Sequence, residues 1–430
     1  MAKIYITISI RVVFRTLDNT IVLAYSGGLD TSICVKWLKE KYDADVVTVT
    51  LDLGQQDDLE EIARRSYLLG AKKHTTIDAR KEFVSDYVVP AIKANALYEG
   101  EYPLSTALGR PLVGKKLVEV AEKENAFAVA HGCTGKGNDQ VRLDVTVRAM
   151  NSALKVIAPV REWNMSRDEE IIYAQKRGIP VKPSKSIYSV DQNLWGRSVE
   201  SGPLENPQNE PPADAFEWTT PADEAPDAPG ILDLEFREGV PVKANGQAME
   251  PLELIGFVNH LVGSHGIGII DHVEDRLVGL KSREVYECPA AMAIIQAHRD
   301  LEKLVLTRHE LAFKSRVEQE WSWLVYAGLW LDPLRVDLDR FIEATQPRVT
   351  GEVKLKLYKG GMRVLGRSSE YSLLRPDLVT YNKGSTFDQR NSVGFIELWG
   401  LQSRVASTLG SHVEERAKIE HPRAKAKQTK

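Results

Sequence analysis

Cysteine is scarce in this chain, and the few residues present build neither a disulfide framework nor a zinc site. The 430 residues contain 3 cysteines, Cys34, Cys133 and Cys288, which lie far apart and form no C-x-x-C pair. This usage is typical of a reducing compartment, and we therefore expect a cytoplasmic protein. Long apolar runs are also missing: no stretch is long enough to span a bilayer, which argues against a membrane protein.

No excess of charge of one sign is present either. The chain has 56 lysine and arginine residues against 60 acidic residues, which gives a formal net charge of −4. A nucleic-acid-binding protein usually has a strong basic field, so we expect no nucleic-acid partner. The apolar fraction of 43% and the length of 430 residues suit a globular protein of about two domains with appendages.

The most informative stretch is Ile21 to Ser32, with the sequence IVLAYSGGLDTS. Its first four residues are apolar, which predicts a strand buried on both faces of a parallel sheet. Two adjacent glycines, Gly27 and Gly28, then allow a sharp turn and a close approach to a ligand. A helix is expected to follow, capped by Asp30, Thr31 and Ser32. Free N–H groups and the dipole at a helix start attract phosphate, so the stretch predicts a phosphate loop.

The residues of this loop exclude two common nucleotide-binding motifs. A Walker loop has lysine followed by Ser or Thr after its last glycine, whereas Leu29 and Asp30 occupy those positions. A dinucleotide fingerprint has three spaced glycines, and here two glycines are adjacent. The segment Ser26 to Ser32 instead resembles the pyrophosphate loop of ATP pyrophosphatases that release AMP and PPi. An ordinary strand-to-helix turn with a capped helix is the alternative.

Apolar strands and amphipathic helices alternate from Ile21 to Pro159, which predicts a doubly wound parallel sheet that binds ligands at the carboxyl ends of its strands. Further strands are expected at Val46–Thr50, His74–Ile77, Phe127–Ala130 and Lys155–Ile157. Helices are expected at Asp57–Leu69, Glu82–Ala94, Leu112–Glu124 and Val141–Ala153. Asp57 and Glu60 have the spacing of a capping box, and Ser166 and Glu169 begin a further helix in the same way.

The second part of the chain predicts a separate α+β domain. Seven prolines between residues 201 and 230 exclude a helix or an inner strand and predict a long surface excursion. Later, Phe395–Leu409 predicts an amphipathic helix apart from the compact fold. We divide the chain into an N-terminal extension (1–19), a nucleotide-binding domain (20–184), a substrate domain (185–385) and a C-terminal oligomerisation helix with a basic tail (386–430). The extension is either an extra edge strand or a segment with no role in the fold.

A second glycine-rich stretch, His131 to Arg142, follows a predicted strand at the sheet edge where ligands are expected. Its three glycines expose backbone N–H groups that favour an anion. Arg142 can donate a forked pair of hydrogen bonds to a carboxylate, although it could equally pair with Asp139 at i, i+3. Asn138 and Asp139 can bind an amine or an amide, and Lys136 is either a charge stabiliser for a phosphate or a solvated lysine. Together these side chains predict a site for a zwitterionic substrate.

Four motifs in the same order resemble the argininosuccinate synthase family. They are AYSGGLDTS from Ala24, YEGEYPLSTALGRP from Tyr98, HGCTGKGNDQVR from His131 and VEDRLVGLKSREVYE from Val273. Members of this family join citrulline and aspartate at the expense of ATP and give argininosuccinate, AMP and PPi. The resemblance therefore implies a ligase of arginine biosynthesis, with a nucleotide-binding domain followed by a synthetase domain.

The resemblance assigns residues to three sites. It implies an ATP site formed by Ala24, Tyr25, Ser26, Gly27, Gly28, Leu29, Asp30, Thr31, Ser32, Leu51 and Gly132. It implies aspartate contacts from Thr134, Asn138 and Asp139, and citrulline contacts from Tyr102, Asn138, Arg142, Ser189, Ser198, Glu274 and Tyr286. Thr106 is expected to face the carboxylate of aspartate or citrulline. Some relatives have serine where this chain has Ala107, and Ser105 or Thr106 is the candidate to replace its hydrogen bond.

The implied chemistry needs positioning and charge stabilisation rather than a covalent enzyme intermediate. The ureido oxygen of citrulline is adenylated by ATP, and the aspartate amine then displaces AMP from the citrullyl-adenylate. We expect Mg²⁺ with the nucleotide and no assigned metal-ligand residues. Asp30 and Lys136 are the expected catalytic residues, Asp30 as the charged cap of the loop and a candidate partner of Mg²⁺, and Lys136 as a stabiliser of phosphate charge. Arg142 and Glu274 are expected to bind the carboxylate and the ammonium of citrulline. The resemblance also implies a homotetramer.

Two other functions remain open from the residues alone. Another AMP-forming ATP pyrophosphatase, amide-forming or tRNA-modifying, would have a glutaminase domain, a reactive cysteine near the site or a basic RNA surface. A non-catalytic nucleotide sensor would keep the loop but lack the residues at positions 274 and 286, and this chain has both.

Overall fold

The computed structural model describes residues 18–163, 165–180, 187–382 and 384–420, with the backbone alone for residues 18 and 411–420. Within this part the chain forms two compact units, one that ends at Ser372 and one that begins at Leu373. The predicted boundary between residues 184 and 185 falls outside the described residues, and the division into domains stays a prediction. The expected edge strand before residue 18 also lies outside them. None of the helices described has the length and apolar character that crossing a bilayer requires.

A parallel five-stranded sheet forms the first part of the larger unit, as predicted. Its strands are β1 (Asp18–Ala24), β2 (Asp45–Asp52), β3 (Lys73–Asp78), β4 (Ala126–Ala130) and β5 (Lys155–Ile157). They lie in the order β3-β2-β1-β4-β5, and every pairing is parallel. Ile21, Val22 and Leu23 are fully buried, which is why this short apolar run forms the middle of the sheet.

Helices lie on both faces of this sheet, because the side chains of β1 alternate between two hydrophobic cores. Ile21 and Leu23 belong to one core with Ile33, whereas Val22 belongs to the other with Leu112. The helices of this part are α1 (Leu29–Tyr42), α2 (Leu59–Leu68), α3 (Arg80–Phe83), α4 (Val89–Lys93), α5 (Ser105–Lys123), α6 (Asp139–Met150), α7 (Pro159–Trp163) and α8 (Arg167–Lys176). A π-helical turn, Val84–Val88, joins α3 to α4.

The cap of α1 differs from the prediction. Its N-cap residue is Gly28, which has no side chain to accept a hydrogen bond, and Asp30, Thr31 and Ser32 lie inside the first turn. Two of these side chains bond within the loop: Thr31 Oγ1 donates to Gly28 O at 3.3 Å, and Ser32 Oγ lies 3.3 Å from Tyr25 Oη. Among the residues described, the N–H groups of Leu29, Asp30 and Thr31 therefore have no side-chain acceptor, as a phosphate-binding helix requires.

The start of α2 is displaced by one residue from the prediction. Asp58, not Asp57, is the N-cap, and its carboxylate accepts from the N–H of Glu61. Both aspartates have a glutamate three residues later, so the sequence pattern does not distinguish them. The capping box of Ser166 and Glu169 at α8 is confirmed, because each side chain bonds the other residue's backbone.

Two antiparallel sheets form the second part of the larger unit, in agreement with the predicted α+β domain. Their strands are β6 (Ser189–Asn193), β7 (Gly196–Glu200), β8 (Gly230–Arg237), β9 (Val240–Ala244), β10 (Gln247–Ala248), β11 (Ile269–Asp275), β12 (Lys281–Glu287), β13 (Gly351–Tyr358) and β14 (Gly361–Ser368). One sheet has the order β10-β9-β8-β13-β14, and the other has the order β11-β12-β7-β6. The helices are α9 (Pro251–Gly263), α10 (Pro289–Val305), α11 (Arg308–Tyr326) and α12 (Pro333–Thr345).

One buried carboxylate anchors the proline-rich segment between β7 and β8. The segment has no strand or α-helix, but it has two short 3₁₀ helices, Gly202–Glu205 and Ala213–Ala215. Glu287 is fully buried and accepts from the backbone N–H groups of residues 217–219 at 2.8–3.2 Å. It also accepts from Arg197 Nη1 at 2.7 Å. The predicted excursion is therefore attached to the sheet by charge-assisted hydrogen bonds.

The described part of the second unit contains three helices, α13 (Pro376–Val379), α14 (Asn391–Trp399) and α15 (Leu401–Glu420). The predicted C-terminal helix is present, but it is divided into two, because α14 ends with Gly400 as its C-cap residue before α15 begins. Large apolar side chains of α14 are exposed: Phe395 is 54%, Ile396 63% and Trp399 72% accessible. Such a contiguous apolar set is unusual for a surface that stays in water.

Candidate active site

Two glycine-rich loops meet at the carboxyl ends of β1 and β4. The first loop follows Ala24, and its Gly27 has a φ of 76°, a conformation that side chains rarely adopt. A Cβ atom at Gly27 would also lie 2.9 Å from Ile62 Cγ1. In the second loop, a Cβ atom at Gly132 would lie 2.9 Å from Thr31 Cγ2. The close packing of Gly132 on α1 therefore brings the predicted phosphate loop and the second loop together.

The backbone of the first loop is fixed to its neighbours. Tyr25 N donates to a carbonyl of β2 at 2.9 Å, and Ser26 Oγ accepts from the N–H of Gly28 at 3.4 Å. Leu51, expected to contact adenine through its backbone, lies buried on β2, and its carbonyl accepts from Gln55 Nε2 at 2.6 Å. These contacts define the shape of the loop, while the part of each residue in binding ATP stays a prediction.

Asp30 forms an ion pair with a residue of α8 that sequence analysis missed. Asp30 Oδ1 accepts from Arg167 Nη1 at 2.6 Å, and the same Nη1 donates to Glu170 at 3.2 Å. Burial, together with the nearby Asp30 charge, raises the pKa of Glu170. The Asp30 side chain remains 35% accessible, so its carboxylate is open to the solvent beside the loop.

A buried histidine holds the start of the second loop. His131 Nε2 donates to Asp144 Oδ1 at 2.7 Å, and His131 Nδ1 accepts from the N–H of Cys133 at 3.2 Å. The tautomer with its proton on Nε2 satisfies both bonds. Thr134 and Lys136 are exposed farther along this loop, and the Lys136 side chain has no polar partner in the described part of the chain. The roles predicted for these two residues stay predictions.

Arg142, which is buried, and Asp139, which is half-buried, form an ion pair on the first turn of α6. Arg142 Nη1 donates to Asp139 Oδ1 at 2.8 Å, and Asp139 Oδ2 pairs with Arg110 Nη2 at 2.7 Å. Burial opposes the charge of Asp139, but the two guanidinium groups outweigh it and lower the pKa of Asp139 to about 2. Arg142 Nη2 is buried and has no hydrogen-bond partner among the residues described. A buried donor of this kind is rare in a folded protein, and it leaves one side of the fork for a ligand.

A buried carboxylate, Glu274 on β11, lies in the same region. Its two oxygens accept from Tyr286 Oη and Tyr326 Oη, both at 2.7 Å. Burial raises the pKa of Glu274, whereas the two phenol donors and the nearby Arg142 favour the ionised form. The structure therefore buries one positive and one negative group close together, an arrangement that suits a zwitterionic ligand. We call Arg142, Glu274 and the residues that join them, Asn138 and Tyr326, the citrulline cluster, after the ligand that the sequence resemblance predicts there.

No sequence pattern indicates Tyr326, although it connects the other members of the cluster. It is the last residue of α11, and its Oη accepts from Asn138 Nδ2 at 2.8 Å while donating to Glu274. Its carbonyl accepts from Arg142 Nε at 2.9 Å. Arg110 was missed for the same reason, since its link to Asp139 depends on the packing of α5 against α6.

Tyr102 and Thr106 lie beside the citrulline cluster. The Tyr102 ring stacks on Tyr286 with centroids 4.0 Å apart, and burial raises the pKa of Tyr102 to about 12. Tyr102 Oη lies 2.8 Å from Thr106 Oγ1 and 3.5 Å from Ser105 Oγ. Ala107 is fully buried on α5, which begins earlier than predicted. Both hydroxyls that reach Tyr102 therefore stay candidates to replace the absent serine.

The two serines expected at the citrulline site are placed differently. Ser198 pairs with Tyr286 in the register of β7 and β12, so the two side chains share one face of the sheet. Ser189 is exposed and is the first residue of β6, where it pairs with Glu200 of β7. Within the described ranges it makes no hydrogen bond to the citrulline cluster. The structure thus brings Ser198, but not Ser189, next to Tyr286.

Comparison with known proteins gives matches over almost the whole chain. Residues 20–180 match the "Arginosuccinate synthase N-terminal HUP domain", and residues 188–406 match the "Arginosuccinate synthase C-terminal domain". A relative from Pyrococcus furiosus named argininosuccinate synthase is 56% identical over 386 residues, which cover 90% of this chain and 94% of the relative. A relative of the same name from Dehalococcoides mccartyi strain 195 is 53% identical, and the match covers 93% of this chain and 98% of the relative. Another, from Rubrobacter xylanophilus, is 55% identical, and the match covers 90% of this chain and 95% of the relative.

The matched domains agree with the structure. The first coincides with the parallel sheet and its two glycine-rich loops, and the second begins with the antiparallel sheets and ends within α15. The four motifs noted in the sequence all fall inside the matched ranges. This chain therefore belongs to the argininosuccinate synthase family of enzymes.

Proposed function

We propose that this chain condenses citrulline with aspartate at the expense of ATP and releases argininosuccinate, AMP and PPi. The observation that supports this most is the buried pair of Arg142 and Glu274. A guanidinium with an unpartnered Nη2 among the described residues and a buried carboxylate suit the two charged ends of an amino acid. Family membership supports the choice of citrulline, aspartate and ATP as the substrates.

The proposed reaction has two displacement steps. The ureido oxygen of citrulline attacks the α-phosphate of ATP. The bond between the α-phosphorus and the bridging oxygen breaks, and PPi leaves with its electron pair. The aspartate amine then attacks the carbon of the citrullyl-adenylate, and AMP leaves. The N–H groups and the dipole at the start of α1 stabilise the phosphate charge in the first step. Arg142 and Glu274 hold the amino-acid end of citrulline, which leaves its ureido end free to react.

We assign the aspartate substrate to Thr134, Asn138 and Asp139. Asn138 donates one amide hydrogen to Tyr326 Oη, and its Oδ1 accepts from Leu277 N at 2.9 Å. A second amide hydrogen remains for a substrate carboxylate. Each oxygen of Asp139 accepts from one arginine, but a carboxylate oxygen can accept a further donor, such as the substrate amine.

The residues beside the first loop fit a Mg²⁺ ion that arrives with ATP. Such an ion, when bound, neutralises charge on the phosphates. The described residues include no group of three or more His, Cys, Asp or Glu side chains able to hold a metal on their own. Mg²⁺ is usually held by one or two carboxylates together with substrate phosphates, and the accessible carboxylate of Asp30 is available for this. We propose that Asp30 acts in this way and that Lys136 neutralises further phosphate charge.

Release of PPi from ATP tests the proposed function. PPi should appear only when citrulline is present, and labelled citrulline should become argininosuccinate once aspartate is added. Citrulline with ¹⁸O in its ureido group should yield AMP that contains the label, because that oxygen stays on phosphorus. Ornithine, which keeps the amino-acid end but lacks the ureido oxygen, is the matched control and should give no PPi.

The other outcomes of this experiment identify the alternatives. PPi release that does not depend on citrulline would indicate a different AMP-forming ATP pyrophosphatase. No PPi under any condition would indicate a nucleotide sensor. Either result would reject the proposal.

We also propose a cytoplasmic homotetramer. The cysteines at positions 34, 133 and 288 are free thiols in the structure, as is usual in a reducing compartment. A helix as short as α14 is marginal alone in water, and its exposed Phe395, Ile396 and Trp399 suit packing on another copy of the chain.

Removal of the C-terminal helices should lower the number of subunits in the oligomer. A chain that ends at Asn391 loses the apolar set of α14, so we expect light scattering to give a mass below that of a tetramer. A chain that ends at Glu420 keeps α14 and α15 and should match the full-length protein. A tetramer in the shorter chain would contradict the assigned role of these helices.

A further inference from the structure

We propose that Tyr326 is a positioning residue that holds Glu274 and Arg142 in the orientation that binds the amino-acid end of citrulline. The inference rests on the proposed function and extends it to a residue outside the sites assigned above. Tyr326 touches none of the reacting atoms in this proposal. Its influence on citrulline passes through the side chains that it contacts.

Tyr326 contacts every other member of the citrulline cluster. Its Oη lies 2.7 Å from Glu274 Oε1 and 2.8 Å from Asn138 Nδ2. The amide nitrogen can only donate, so Tyr326 accepts from Asn138, and the one proton of its hydroxyl goes to Glu274, which is closer than the other acceptor in reach, Asp275 O at 3.2 Å. Its carbonyl accepts from Arg142 Nε at 2.9 Å, and its ring centroid lies 4.8 Å from the Arg142 guanidinium carbon. One residue therefore fixes both charged groups.

Packing, and not the substrate, sets the position of Tyr326. Its ring is fully buried and stacks on Tyr98, with centroids 3.5 Å apart and an angle of 3° between the rings. The turn after α11 is pressed against α6, because a Cβ atom at Gly328 would lie 2.7 Å from Arg142 Cα. Gly328 also has a φ of 77°, which favours glycine. Packing of this kind within the protein restricts the position of Tyr326, and such restriction reduces the cost of ordering a site on binding.

The hydroxyl of Tyr326 also affects the charge of Glu274. Burial raises the pKa of Glu274, and the hydrogen bond from Tyr326 is the largest influence in the other direction. The hydrogen bond from Tyr286 and the charge of Arg142 also lower this pKa, while the charge of Glu284 raises it. Loss of the Tyr326 hydroxyl should therefore raise the pKa of Glu274. Because an ammonium binds the ionised carboxylate, citrulline binding should then fail at a higher pH than in the unchanged protein.

Tyr326→Phe tests this inference, since it removes the hydroxyl and keeps the ring. We expect the KM for citrulline to rise about tenfold or more, as is typical for a lost hydrogen bond to a charged group. The KM for ATP should stay unchanged. The acid limb of the pH profile of kcat/KM for citrulline should move to higher pH. Tyr98→Phe is the matched control, because it belongs to the same stack but its hydroxyl donates to the backbone carbonyl of Asp275 at 2.9 Å.

The same substitution in a protein that already has Glu274→Gln tests whether Tyr326 acts through Glu274. In a Glu274→Gln protein there is no carboxylate to titrate, so Tyr326→Phe should cause no further shift of the pH profile. A fall in activity that is equal for all substrates and independent of pH would overturn the inference, as would a profile shift that persists in the Glu274→Gln background. If the unchanged protein releases no PPi in response to citrulline, the proposed function itself fails, so the two failures are distinguishable.

Discussion

Arg142→Lys is expected to raise the KM for citrulline about 10- to 100-fold while changing the KM for ATP about twofold at most. In the structure the guanidinium uses Nε for Tyr326 O and Nη1 for Asp139, and the buried Nη2 has no partner among the described residues. An ammonium is a point charge without this planar fork, so lysine cannot keep both protein contacts and also bind a substrate carboxylate. The first glycine-rich loop does not contain this residue, and nucleotide binding should therefore persist.

Arg148→Lys is the matched control for this prediction. Arg148 lies on the same helix, but it is exposed, and among the residues described its one ion pair is a long contact to Asp144, at 3.7 Å. Steady-state kinetics with each substrate varied in turn, together with thermal denaturation of both variants, separate a binding defect from misfolding. Equal weakening of citrulline and ATP in Arg142→Lys would show that the assigned role of Arg142 is wrong.

Glu287→Ala is expected to lower the free energy of unfolding by about 3–5 kcal/mol, the usual effect of breaking a buried ion pair. The fully buried carboxylate accepts from Arg197 Nη1 and from three backbone N–H groups of residues 217–219. Alanine leaves the Arg197 guanidinium, which is 2% accessible, without its buried counter-charge. It also leaves the backbone donors unbonded, so the proline-rich segment should open more often, although Arg197 still contacts Ala215 O and Glu217.

Chemical denaturation and limited proteolysis measure this effect. The midpoint of unfolding should fall, and the first cleavage sites should lie between residues 201 and 229. Glu235→Ala is the control, because Glu235 forms a surface pair with Lys243 at 2.6 Å that should be worth about 1 kcal/mol at most. Similar losses of stability in the two variants would contradict the anchoring role of Glu287.

Local sequence patterns predicted the nucleotide-binding half of the fold. The apolar run at Ile21 marks a strand that is indeed central and buried, and the adjacent Gly27 and Gly28 mark a turn in which one of them has positive φ. These patterns work because a buried strand and a tight turn each depend on consecutive residues. The capping box of Ser166 and Glu169 was predictable for the same reason.

Predictions that required a choice between equivalent local patterns were less accurate. Asp57 and Asp58 both have a glutamate three residues later, and the structure uses Asp58. Asp30 was expected to cap α1, but Gly28 takes that position and Asp30 pairs with Arg167 of α8 instead. The partner of Asp30 is 137 positions away, and no property of the nearby residues reports it.

Consecutive residues were sufficient for the order of strands and helices, the two glycine-rich loops and the family resemblance, because each of these is a property of neighbours along the chain. The composition of the citrulline cluster came from packing. Asn138 and Tyr326 are hydrogen-bonded although 188 positions separate them, and Glu274 joins them from β11 of an antiparallel sheet. A distance of this kind depends on how α6, β11 and α11 pack, and side-chain hydrogen bonds extend over only a few ångströms. For that reason Tyr326 could be recognised in the structure but not in the sequence.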